Sequence, residues 1–177
     1  MGLLMLEFEY LFQPVRKYTF EQPKLKLWIE RNCRGKVLNL FAGKTMLNNV
    51  DEVRVDINRE MRADYYMDAL EFVDSWEDKP FNTILLDPPY NLRKAREKYM
   101  NKFIGSLTKI KNAIPPILIP GGIVITLGYD SVGMSRKRGF EKTGICLVCH
   151  SGDHNDTICL VEKYTQMNLF NGATDAV

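Results

Sequence analysis

Four short apolar runs in the first half of the chain each stop at a glycine or an acid, with helical stretches between them. Val37-Leu38-Asn39-Leu40-Phe41 ends in the turn Ala42-Gly43, and Glu52-Val53-Arg54-Val55-Asp56 alternates and ends on an acid. Tyr65-Tyr66-Met67 stops before Asp68, and Thr83-Ile84-Leu85-Leu86 stops at Asp87. Runs of this length, rich in Val, Ile and Leu and closed by turn formers, predict buried strands. Before the first run, Pro23 followed by Leu25, Leu27, Trp28 and Ile29 predicts a helix that starts at proline and stops near Gly35. Asn58 is placed to cap a short helical stretch, Leu70, Phe72, Val73 and Trp76 fall at helical spacing, and a further helix is expected from Tyr99 to Ala113. Ile123-Val124-Ile125-Thr126-Leu127 is the next strand, and the runs 144–149 and 157–161 flank a polar segment as an antiparallel hairpin. The expected fold is α/β: a mostly parallel seven-stranded sheet with a C-terminal antiparallel hairpin.

At 177 residues and 45% apolar content the chain can bury one sizeable core. The expected organisation is an N-terminal extension over 1–22, one domain over 23–163 and a loose tail over 164–177. With 24 basic against 22 acidic residues, affinity for nucleic acid has to come from local clusters. Two such clusters are Arg93, Lys94, Arg96 and Lys98, and Arg136, Lys137 and Arg138; Glu71, Asp74, Glu77 and Asp78 form an acidic stretch. The apolar start Met1 to Leu6 has no basic leader, is too short to span a membrane and lacks the hydroxyl residue that myristoylation requires. A soluble, cytoplasmic protein is expected, with Cys33, Cys146, Cys149 and Cys159 as reduced thiols.

In an open parallel sheet, ligands bind at the carboxyl ends of the strands. Gly43 lets backbone approach a ligand closely, Asp56 at the end of the second run suits the two hydroxyls of a ribose, and Asp68 suits an adenine amino group. The segment Asp87-Pro88-Pro89-Tyr90 is the sharpest signal. Its prolines remove two backbone donors and leave carbonyl oxygens and the Asp87 carboxylate as a set of acceptors, which fits an amino group. The lone pair of a base amine is delocalised into the ring, and acceptors aimed at its hydrogens favour the pyramidal form that can attack. Tyr90 would stack on the base.

Asn39-Leu40-Phe41-Ala42-Gly43, then Asp56, Asp68 and Asp87-Pro88-Pro89-Tyr90, resemble in order the motifs of the S-adenosylmethionine-dependent amino-methyltransferases of adenine and cytosine. Gln22-Pro23-Lys24 resembles the cofactor-contacting segment ahead of the glycine motif. The resemblance, over residues 23 to 163, implies a Rossmann-like methyltransferase fold. It also implies S-adenosylmethionine as cofactor and S-adenosylhomocysteine as product. Gln22, Pro23, Asn39, Phe41, Ala42, Gly43, Asp56, Ile57, Asp68, Ala69 and Asp87 would form the cofactor site, and Asp87, Pro88, Pro89 and Tyr90 would carry catalysis. Two positions depart from the family: Asn39 stands where an acid is usual, and Thr45 where a second glycine is usual.

Other readings are weaker. Gly43-Lys44-Thr45 resembles the end of a phosphate-binding loop, but its first glycine would be residue 38, which is leucine. Cys146, Cys149, His150 and His154 suggest haem or zinc, but on a strand residues 146 and 149 face opposite ways, so no metal is expected and the histidines read as polar hairpin residues. Arg93, Lys94, Arg96 and Lys98 follow the catalytic segment where phosphates flanking the target base would pass. The chain has no room for a large target-recognition region. The expected substrate is therefore structured RNA, ribosomal RNA foremost. The alternatives are DNA with a separate specificity partner, a protein glutamine or small-molecule amine, and a non-catalytic cofactor-binding scaffold.

Overall fold

The computed structural model describes residues 5–88, 106–152 and 154–165, which are built around one seven-stranded sheet. Its strands are β1 (Glu7–Phe12), β2 (Lys36–Asn39), β3 (Asp51–Arg54), β4 (Phe81–Leu86), β5 (Leu118–Gly128), β6 (Phe140–Cys149) and β7 (Thr157–Tyr164). Across the sheet they run β1-β6-β7-β5-β4-β2-β3. β7 is antiparallel to β5 and β6, and every other neighbouring pair is parallel. The described helices are α1 (Pro23–Asn32), α2 (Ala69–Ser75) and α3 (Leu107–Ala113).

Successive residues of a strand face opposite sides, so strands covered on both sides read as unbroken apolar runs. Val37, Leu85, Ile123, Ile125, Cys146 and Val148 pack on one side against Leu25, Trp28 and Ile29 of α1. Leu38, Ile84, Leu86 and Val124 pack on the other against Phe72 and Val73 of α2 and Ile110 of α3. The proline of α1 sits at its first turn, where a missing N–H costs no helical bond. α1 stops as Cys33 turns extended, two residues before Gly35 takes φ +53°.

The parallel core and terminal hairpin stand as expected; three local features do not. The run 65–67 forms no strand, because Tyr65 makes only an isolated bridge to Val55 and turns its ring onto Phe72 and Trp76. The seventh strand is β1, which pairs in parallel with β6 at the sheet edge. Asn58 starts a turn and no helix: its carbonyl takes the Met61 N–H, but the next N–H, of Arg62, goes to Gly43. Of the helix expected over 99–113, α3 covers 107–113, and residues 99–105 lie outside the described residues.

Candidate cofactor and substrate site

The carboxyl ends of β2, β3 and β4 lie side by side, since Asn39 is in register with Arg54 on one side and Leu85 on the other. Past β2 the chain turns through Phe41, Ala42 and Gly43; Gly43 has φ +61°, a conformation open mainly to glycine. A Cβ added there would meet nothing nearer than the Tyr18 ring at 3.9 Å, so the turn keeps open space beside it. Lys17 and Lys44 place their ammonium groups 5.6 and 6.0 Å from the centre of that ring.

Asp56, just past β3, is buried and ties this turn down. Its Oδ2 accepts the Gly43 N–H at 2.9 Å and its Oδ1 the Asn58 N–H at 2.8 Å. Ile57 beside it is half-buried. Asp68 caps α2, its Oδ1 accepting from the Leu70 N–H at 2.8 Å, and Ala69 is buried behind it. Asp87 and Pro88 leave β4 half-buried. Burial, and after it the neighbouring charges of Cys146 and Asp87, push the Cys159 thiol well above its ordinary range.

Gln22 and Pro23 begin α1, and Gln13, just past β1, holds that end by accepting the Lys24 N–H at 3.1 Å. Pro23 is exposed and Gln22 buried. Two of the proposed cofactor residues carry a buried acceptor with no hydrogen-bond partner, Gln22 Oε1 and Asn39 Oδ1; Thr126 Oγ1, level with Leu86 on β5, is a third such atom. Buried polar atoms are normally satisfied, so orphaned acceptors at a strand-end site fit a ligand that brings donors. Both side-chain oxygens are sealed from solvent, so a ligand reaches them only by moving what covers them.

Glu52 and Arg54 escaped the sequence reading, although their i, i+2 spacing on a strand beside the turn is the available signal. Their side chains form a buried ion pair at 2.8 Å. The Arg54 guanidinium also donates to the carbonyls of Ala42, Gly43, Thr45 and Arg62. Glu52 accepts from Asn39 Nδ2 at 2.8 Å. The two departures at Asn39 and Thr45 therefore both fall on partners of this pair.

Pro89, Tyr90, Arg93, Lys94, Arg96 and Lys98 lie outside the described residues. Cys146 is buried on the α1 side, while Cys149 is in register with Phe12, whose side is exposed. His150, in the connection between β6 and β7, is buried, with Nδ1 2.7 Å from the Gln13 carbonyl and Nε2 2.8 Å from Thr157 Oγ1. Among the described residues, no helix is long and apolar enough to cross a membrane.

No protein-family model and no curated protein sequence matches the chain. Solved structures do. TrmN from Thermus thermophilus superposes with a TM-score of 0.53 at 16% identity over 81% of this chain and 49% of its own. YhhF of Escherichia coli, a candidate methyltransferase, gives 0.53 at 13% identity over 81% of this chain and 85% of its own. The 1,6-didemethyltoxoflavin-N1-methyltransferase of Burkholderia thailandensis, solved with bound 1,6-didemethyltoxoflavin and S-adenosylhomocysteine, gives 0.52 at 12% identity over 78% of this chain and 75% of its own. The chain thus spans about half the length of TrmN and most of YhhF. It has the Rossmann-like fold of the S-adenosylmethionine-dependent methyltransferases.

Proposed function

We propose that the chain transfers a methyl group from S-adenosylmethionine to the exocyclic amino group of a cytosine or adenine in nucleic acid, with structured RNA, ribosomal RNA foremost, as the substrate. The observation that carries this is the row of groups at adjoining strand ends: Gly43 after β2, Asp56 after β3 and Asp87 after β4. Asp68 follows in the chain at the start of α2. The residues present fit the cofactor. Asn39 Oδ1 offers an unused acceptor to an ammonium donor, and Gly43 leaves room for the methionine chain. Asp56 suits ribose hydroxyls and Asp68 the adenine amine.

When bound, the cofactor supplies an electrophilic methyl carbon. The chain supplies the nucleophile's setting. Asp87 and the Pro88 carbonyl accept hydrogen bonds from the base amine, which localises its lone pair for attack, and Tyr90 stacks on the base. Proline at 88 also keeps a competing backbone donor out of this acceptor set. Arg93, Lys94, Arg96 and Lys98 contact the flanking phosphates.

The test is transfer of labelled methyl from S-adenosylmethionine to separate pools of DNA, ribosomal RNA and transfer RNA, followed by nucleoside mass spectrometry. Label on a cytosine or adenine amine in ribosomal RNA supports the proposal. Label confined to DNA overturns the RNA assignment. Cofactor binding without label in any pool overturns the nucleic-acid assignment and leaves a protein or small-molecule amine, or a scaffold.

A further inference from the structure

We infer that Arg54, held by Glu52, is a positioning residue that shapes the turn 41–45 for the methionine end of the cofactor; the inference rests on the cofactor reading above. Arg54 is buried, and its guanidinium is spent almost wholly on backbone. Nη2 donates to the carbonyls of Ala42 at 2.8 Å and Gly43 at 3.0 Å, Nη1 to Thr45 at 3.3 Å, and Nε to Arg62 at 2.6 Å. Three of these four carbonyls belong to one turn. The planar fork of arginine spreads its donors over three nitrogens in fixed directions, whereas lysine offers its donors from one nitrogen.

Glu52 completes the device. Its Oε2 accepts from Arg54 Nη1 at 2.8 Å and from the Leu47 N–H at 3.4 Å, and its Oε1 from Asn39 Nδ2 at 2.8 Å. The last bond fixes which way the Asn39 amide points and makes Oδ1 its unpartnered atom. Replacing a buried ion pair by apolar residues is often no less stable, so a pair of this kind is better explained by the geometry it imposes. The geometry here has two parts. Turn carbonyls drawn towards a buried cation no longer present their negative ends to an incoming carboxylate, and an amide oxygen is held for an incoming ammonium. A free amino-acid end carries both charges.

The test compares two probes, S-adenosylhomocysteine, which has the amino-acid end, and adenosine, which lacks it, by calorimetric titration of the full chain. Arg54→Lys keeps the charge against Glu52 and loses the fork. It should weaken S-adenosylhomocysteine about tenfold and leave adenosine within about threefold of the unaltered chain. Equal weakening of both probes in a folded variant, or no change in either, overturns the inference alone. Failure of the unaltered chain to bind S-adenosylhomocysteine overturns the cofactor reading and the inference with it.

A second arm covers a variant that does not fold. Asn39→Asp sets two carboxylates against each other and Glu52→Gln strips Arg54 of its counter-charge, so each should lose about tenfold in S-adenosylhomocysteine affinity or fold poorly. The double variant exchanges donor and acceptor across the same hydrogen bond and keeps one buried carboxylate. It should return to within about threefold of the unaltered chain. A double variant that loses as much as the two single changes together, or does not fold, overturns the inference.

Discussion

Asp56 accepts the backbone N–H of Gly43 through Oδ2 at 2.9 Å and that of Asn58 through Oδ1 at 2.8 Å, so one buried carboxylate fastens the end of β3 to the turn after β2. Asp56→Asn puts an amide donor against one of those N–H groups. A loss of about 1–3 kcal/mol in folding stability is expected, from a buried N–H left without a partner. If the same carboxylate also takes ribose hydroxyls, S-adenosylhomocysteine affinity falls at least about tenfold. Urea unfolding and calorimetric titration read the two effects separately, and unchanged affinity would remove Asp56 from the ribose site.

Gly43 has φ +61° but open space where a Cβ would go, so the cost of a side chain there is backbone strain without a clash. Gly43→Ala should destabilise the chain by about 1–2 kcal/mol, the cost of a left-handed conformation in an L-residue. A denaturation midpoint unmoved from that of the unaltered chain would mean that the turn relaxes.

Asp87 stands at the end of β4 and is proposed to accept hydrogen bonds from the substrate amine. Asp87→Ala is expected to abolish methyl transfer while leaving S-adenosylhomocysteine binding largely intact. Labelled transfer beside titration checks this, and equal loss of both in a folded variant would reassign Asp87 to the cofactor.

Burial pushes the Cys33 and Cys146 thiols up to about 12. A thiol that ionises at about 8.5 in the unfolded chain but resists ionisation when folded adds stability that is whole below that pH and is lost as pH rises towards 12. The loss is about 1.4 kcal/mol per pH unit for each such group. Cys146→Ala removes one of them from the sheet interior. The stability gap between the unaltered chain and this variant should therefore shrink between pH 8.5 and 10.5, followed by urea unfolding at each pH, and a constant gap would show that Cys146 does not titrate differently on folding.

The strands that build the parallel core were legible because burial on both faces leaves an unbroken apolar run. The motif positions were legible because each such run stops where the chain must turn. Val37 to Phe41 and Thr83 to Leu86 are of this kind. β1 was not legible: Phe8, Tyr10 and Phe12 are exposed on one side, and Glu9 on the other pairs with Arg31 and Trp28. Its sequence looks like any amphipathic tail, and only a partner 137 residues away makes it a strand, since Phe12 lies against Cys149.

The same division holds at the site. Order and spacing alone placed Gly43, Asp56 and Asp87 at strand ends, because strand ends are a local property of hydrophobic pattern; Asp68, expected after a strand over 65–67, caps α2 instead. That Glu52 and Arg54 lie buried against Asn39 and the turn, and that the Asn39 amide is left with an unused oxygen, was decided by strand register in three dimensions. A buried charge has no periodic signature. It is tolerated only where the folded chain brings carbonyls and a counter-ion to it, and those partners come from separate segments of the sequence.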